Sequence, residues 1–151
     1  MVAVDDIIVE PGITVKVPTG LAFELPEGYE LQVRPRSGIT SRTKLRVQLG
    51  TCDAGYRGEV CVIVDNISEK EVETDPNIDW FLEPVLTKNV IGLDNIRYTN
   101  RRSHPVGTYL IRKGDKIAQG VIAPVSHATF SEVDELGESD RGENGFGSSG
   151  I

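Results

Sequence analysis

Two segments carry residue types that can handle phosphate. Arg34, Pro35, Arg36, Ser37 and Gly38 follow a strand-like run. Proline sets the turn, glycine lets the chain leave tightly, and two guanidinium forks with one hydroxyl could donate to phosphate oxygens. The last eleven residues, 141–151, hold four glycines, two serines, one arginine and one phenylalanine. Glycine N–H groups can approach phosphate closely, Ser148 and Ser149 can donate, Arg141 offers a planar fork, and Phe146 can stack on a base. This tail has neither helical nor strand patterning, so free in solution it is expected to be disordered. The plain alternatives are a solvated turn for the first segment and a frayed polar terminus for the second.

Two further segments add chemistry. Residues 50–59 put Asp53, Tyr56 and three glycines between two strand-like runs. Asp53 could be a general base holding a water, and Tyr56 could lie against a sugar ring; an ordinary hairpin built on Asp53-Ala54-Gly55 is the bland reading. Residues 114–120 open another run, where Gln119 either faces solvent or offers its amide to a ligand. His104 and His127 stand alone among polar neighbours and receive no role. The chain has no phosphate-binding GxxxxGK loop, no GxSxG elbow and no His/Cys ligand cluster.

The elements that must position these residues read mostly as strands. Residues 13–17, 21–25, 29–33, 45–49, 60–64, 109–111 and 117–125 alternate or run apolar between Gly/Pro turns, which predicts an all-β barrel or sandwich such as a jelly roll. A short helical turn is expected after Ser37. Residues 68–107 are polar and weakly periodic, a long excursion from the barrel in which Trp80 packs back on the body or on a neighbouring subunit. Residues 131–140 are acidic and lead into the glycine tail.

With 151 residues, 38% of them hydrophobic, the chain can build one core. A net charge of −7 argues against non-specific nucleic-acid binding and requires a local cation cluster for any anionic ligand. Cys52 and Cys61 make no metal spacing and read as buried free thiols of a reducing compartment. No apolar stretch reaches membrane-spanning length and no signal peptide is visible, so a soluble cytoplasmic protein is the default expectation.

In this order, the segments resemble the trimeric dUTP pyrophosphatase (dUTPase) family. Arg36-Ser37-Gly38 is similar to its second motif, residues 50–59 to the third, 114–119 to the fourth and 141–150 to the fifth. The resemblance implies an all-β, jelly-roll-like β-clip barrel in a homotrimer. Residues 1–140 would form the body, with an insertion at about 68–106. Residues 141–151 would be a flexible arm closing over a neighbouring active site. It implies hydrolysis of dUTP to dUMP and pyrophosphate with Mg²⁺ held through phosphates and water rather than by protein ligands. Asp53 would activate the water attacking the α-phosphorus, and Tyr56 would lie under the deoxyribose. Arg36, Ser37, Gly38 and Gln119 would contact phosphates. Arg141, Ser148 and Ser149 would close on the γ-phosphate, Phe146 would cover uracil, and Gly147 between them would also bind substrate. Main-chain groups of a 49–56 hairpin, Gly50 included, would read the uracil edge, assisted by Gln48.

Two departures stand out. The family's first motif would fall just before Met1, as though the chain were truncated there, and its metal-facing aspartate has no counterpart in Asp5 or Asp6. The 68–106 insertion resembles the extra segment of some bacteriophage dUTPases, which would place the protein in the host cytoplasm. The alternative function is therefore a dUTPase-like regulator that binds a repressor or other protein through the insertion. Trp80, Phe81, Tyr98, Arg101 and Arg102 have the composition of such a contact surface, while a padded loop packing on its own subunit remains the structural alternative. A dCTP deaminase relative on the same fold is a weaker third reading.

Overall fold

The computed structural model describes residues 1–73, 83–140 and 142. In chain order the elements are β1 (Ile7–Val9), β2 (Thr14–Pro18), β3 (Tyr29–Pro35), α1 (Ser37–Arg42), β4 (Leu45–Val47), β5 (Gly50–Asp53), β6 (Cys61–Asn66), β7 (Val72–Glu73), β8 (Glu83–Pro84), β9 (Leu86–Gly92), β10 (Arg97–Pro105), β11 (Tyr109–Ile111) and β12 (Ala118–Pro124). They form a four-stranded sheet β1-β11-β9-β10, two three-stranded sheets, β12-β3-β5 and β2-β6-β4, and the small pair β7-β8.

Alternation sends one side chain in two to a common core. Leu31 and Val33 of β3, Val17 of β2, Leu45 and Val47 of β4, and Val62 and Val64 of β6 are buried, while Ile63 between the last two is exposed. Ile111 and Ile117 complete the same cluster. The mostly β class expected from the sequence is therefore the observed one, as is the helical turn after Ser37.

Three expectations are corrected. Residues 21–25 are not a strand. Gly20 turns the chain at φ +66° and Pro26 ends the run. Between them the segment is tied to its neighbour by Val60 N–H donating to Leu21 O at 2.8 Å, while Leu25 still buries its side chain. The run at 45–49 stops at Val47. Finally, residues 50–59 do not connect a hairpin: β5 pairs with β3, whereas β6 pairs with β2 and β4. The chain leaves one sheet at Gln48-Leu49 and enters another.

Residues 83–107 are more deeply built in than their polarity suggests. β9 pairs parallel with β11 and antiparallel with β10, and Val90 is buried. Trp80 and Phe81 lie outside the described residues.

Asn66 ties the start and the end of the 68–107 segment to β1. It is 1% exposed. Its amide donates to Val9 O at 2.8 Å and to Gly107 O at 2.9 Å, and its Oδ1 accepts from Ser68 N–H at 3.0 Å. The segment that leaves and the one that returns are thus joined through one side chain. Replacing Asn66 by alanine strands three polar groups, and urea denaturation is expected to show a loss of about 2–4 kcal/mol.

Candidate active site

Arg36 caps the start of α1 in extended conformation, and its Nη1 donates to Lys116 O at 3.2 Å. Ser37 and Gly38 occupy the first turn, where backbone N–H groups have no partner within the helix. A Cβ added at Gly38 would meet nothing within 4 Å, so the backbone there faces open space. Ala118 and Gln119 of β12 pair with Pro35 and Arg34 of β3, and the Gln119 amide donates to Pro35 O at 3.3 Å. The structure therefore brings Arg36, Ser37, Gly38 and Gln119 to one end of β3. Beside them lies a cavity of about 380 Å³ lined by Arg36, Arg42, Asp94, Arg112, Asp115 and Lys116.

Asp53 and Tyr56 are elsewhere. Asp53 pairs with Glu30, four residues along β3 from Arg34. At the usual strand rise that is about 13 Å. Asp53 is exposed and borders a cavity of about 480 Å³ together with Tyr29, Ala54, Val125 and His127. Tyr56 N–H donates to Asp53 O at 3.1 Å to close the turn, and its hydroxyl donates to Glu59 O at 3.0 Å. Folding the ring back this way requires glycine at 58, where an added Cβ would sit 2.6 Å from Tyr56 Cζ.

A second opening of about 320 Å³ separates β5 from the start of β6, between Thr51, Cys52, Asp53, Tyr56, Val60 and Cys61. It exists because those strands belong to different sheets. The two cysteines are free and half-buried rather than buried. Burial, and then the neighbouring Asp53 carboxylate, push the Cys52 thiol up, which keeps it neutral. Gln48 N–H donates to Ile63 O at 3.0 Å, and its side-chain amide bonds the Asp65 carboxylate. Gly50 pairs with Val33, and an added Cβ would make ordinary contact there at 3.5 Å. Arg141, Phe146, Gly147, Ser148 and Ser149 lie outside the described residues.

Sequence reasoning missed a polar cluster beside Arg36. Arg112 donates from Nη1 to the Tyr98 hydroxyl at 2.6 Å and from Nη2 to Asp94 Oδ2 at 3.0 Å. Tyr98 donates to the same Asp94 oxygen at 2.6 Å, and the guanidinium stands 4.8 Å from the Tyr98 ring centroid. The Tyr98 hydroxyl, and then the Ile96 amide, hold the Asp94 carboxyl below its ordinary value. A depressed carboxyl contributes stability that is complete above the unfolded pKa, about 3.9, and is lost as pH falls through the lower folded value. Asp94→Asn is thus expected to flatten the acid side of a melting-temperature profile below about pH 4.

Among the described residues no group of three or more His, Cys, Asp or Glu side chains converges to hold a metal, and no helix is long and apolar enough to cross a membrane.

A curled β body holds Arg36, Ser37, Gly38 and Gln119 at one end of β3 and the exposed Asp53 of β5 beside the other, residue types that suit a nucleotide hydrolase. The comparisons with known proteins narrow that class. The dUTPase family model matches residues 1–78 and 82–150, and the chain belongs to the dUTPase family. Deoxyuridine 5'-triphosphate nucleotidohydrolase of Helicobacter hepaticus is 37% identical over 151 residues, spanning 99% of this chain and 72% of that protein. The enzyme of the same name from Caulobacter vibrioides is 34% identical over 147 residues, 96% of this chain and 71% of its own length. Among solved structures, a dUTPase variant of Staphylococcus bacteriophage 80alpha with dUpNHpp superposes at a TM-score of 0.84. That match has 31% identity and covers 100% of this chain and 84% of the phage chain. It is described with phage dUTPases that control transfer of virulence genes by a G protein-like mechanism. The fold is of this phage type.

Proposed function

We propose that this chain hydrolyses dUTP to dUMP and pyrophosphate with Mg²⁺, in a homotrimer whose active sites are shared between chains. The separation of Asp53 from Arg36 and Gln119 carries the reading. About 13 Å of backbone lies between Glu30, the partner of Asp53, and Arg34, the partner of Gln119, and within one chain Asp53 and Arg36 line different cavities. Two chains packed around a symmetry axis can bring them together.

In this reading uracil enters the opening between β5 and β6, where unpaired main-chain edges offer it strand-like hydrogen bonds. Gln48 assists there, exchanging its contact with Asp65 for one with the base. Tyr56, fixed through Glu59, lies under the deoxyribose and crowds a 2′-hydroxyl. Arg36, Ser37, Gly38 and Gln119 of a second chain bind the phosphates. Asp53 takes a proton from a water whose oxygen bonds to the α-phosphorus, while the α–β bridging bond breaks and pyrophosphate leaves. Residues 141–151 close over the nucleotide, with Phe146 on uracil and Arg141, Gly147, Ser148 and Ser149 on the γ-phosphate, excluding bulk water.

The donor set suits a magnesium ion held by triphosphate oxygens and water, as a hard cation that keeps its waters prefers. When bound, it neutralises phosphate charge. A nucleotide panel assayed for pyrophosphate tests the proposal. dUTP alone is expected to turn over efficiently, and chelation should stop it. Comparable rates with UTP or dTTP would overturn it.

One observation favours a second activity, binding of a regulatory protein. Arg97, Arg101 and Arg102 of β10 are all exposed on the insertion, a cationic strip on a chain of net charge −7 suited to an acidic partner surface. Excising 69–102 would also remove β9 from its place beside β11, so charge reversal at Arg101 and Arg102 is the cleaner test. Partner binding lost with hydrolysis intact supports this activity, and binding unchanged defeats it.

A further inference from the structure

The turn between β9 and β10 belongs to the insertion, yet Asp94 lines the same cavity as Arg36. Between them stands Arg112. Its Nη1 and Nη2 are held by Tyr98 and Asp94 from the insertion side. On the body side its backbone N–H donates to Asp115 Oδ2 at 2.9 Å, and Nη2 lies 3.5 Å from Asp115 Oδ1. Its Nε is buried and has no partner among the described residues, and the fork is oriented through the two terminal nitrogens. Asp115 is followed by Lys116, whose carbonyl receives Arg36 Nη1 at 3.2 Å. Ala3 N–H also bonds the Asp115 carbonyl at 3.0 Å, which fixes the backbone of this loop. Arg112 fixes its side chain.

We propose that Arg112 is a positioning residue for phosphate binding, and that the insertion, through Asp94 and Tyr98, is a working part of the phosphate site. The inference rests on the reading of Arg36 as a phosphate donor. The Arg112 guanidinium is held from both sides, so it keeps the 112–116 loop in the register that presents the Lys116 carbonyl to Arg36. A guanidinium anchored through its carbonyl partner loses less freedom on binding an anion than a loose one. Arg112 itself needs no contact with the nucleotide.

A double-mutant cycle on the full chain tests this, with dUTP hydrolysis and inhibition by inorganic pyrophosphate as readouts. Arg112→Met is expected to raise the dUTP KM by about tenfold, the scale of a lost charge-assisted hydrogen bond. Its kcat should stay within about twofold, and pyrophosphate inhibition should weaken by the same factor as KM. Added to Arg36→Ala, Arg112→Met should do little more, because it acts through Arg36. Additive losses, or a normal KM, overturn the proposal. Should Arg112→Met not fold, Tyr98→Phe removes one hydroxyl and is expected to raise KM about threefold within the same cycle. Arg36→Ala separates the two levels of the argument. A normal KM there defeats the phosphate role of Arg36, whereas a raised KM there with a normal KM in Arg112→Met defeats the Arg112 role alone.

Discussion

Asp53→Asn is expected to bind dUTP and leave it intact. The substitution keeps the side chain's shape and removes the group that accepts the water's proton. Asp53 is exposed, at the end of β5 where the chain turns toward Tyr56, so the change should cost little stability. A lost general base costs about 10²–10⁴-fold in rate. Stopped assays of pyrophosphate should therefore show kcat down by about a thousandfold, with the dissociation constant for a non-hydrolysable dUTP analogue nearly unchanged. Normal turnover would remove Asp53 from its assigned role. Lost turnover with equally lost analogue binding would make it a binding residue.

The second large effect concerns which chain supplies which group. Asp53→Asn should be nearly inactive alone, and Arg36→Ala should be slow when dUTP is kept far below its raised KM, the condition used for the mixture. Unfolded and refolded together in equal amounts, they should regain activity, because some sites then draw an intact Asp53 from one chain and an intact Arg36 from another. Random assortment makes about one site in four complete when the two groups come from different subunits. If both groups served a site from the same chain, no mixture could recover. The placement of Asp53 and Arg36 at different cavities of one chain is what makes recovery the expected result.

The fold class was legible because the strands that matter most alternate or run apolar. β3 has its apolar residues at every second place between Gly28 and Pro35, and β6 is a short continuous apolar run after Gly58. Residues 21–25 misled for the same reason: the apolar spacing is strand-like, but no neighbouring strand forms a ladder with it. The partner of β5 was not legible at all. Pairing is a property of the whole sheet, and nothing local in residues 50–53 says that β3 rather than β6 lies beside them. Residue type and motif order singled out the Arg36-Ser37-Gly38 turn and the strand carrying Gln119. Their meeting at one end of β3 is now visible in the register of β12. Arg112 and Asn66 escaped notice because each acts at long range. Asn66 reaches Val9 and Gly107, and Arg112 reaches Asp94 and Tyr98, contacts that no spacing rule encodes.

Among the described residues the four-stranded sheet ends on β10, and that placement bears on how the protein survives at high concentration. An outermost strand offers unsatisfied N–H and C=O groups to any other chain, a template for stacking into fibres. Here the template is spoiled. The register shifts between Thr99 and His104, and arginines at 97, 101 and 102 stand exposed along the strand. A kinked, cationic rim repels a second copy of itself, so the long added strand carries its own safeguard against self-polymerisation.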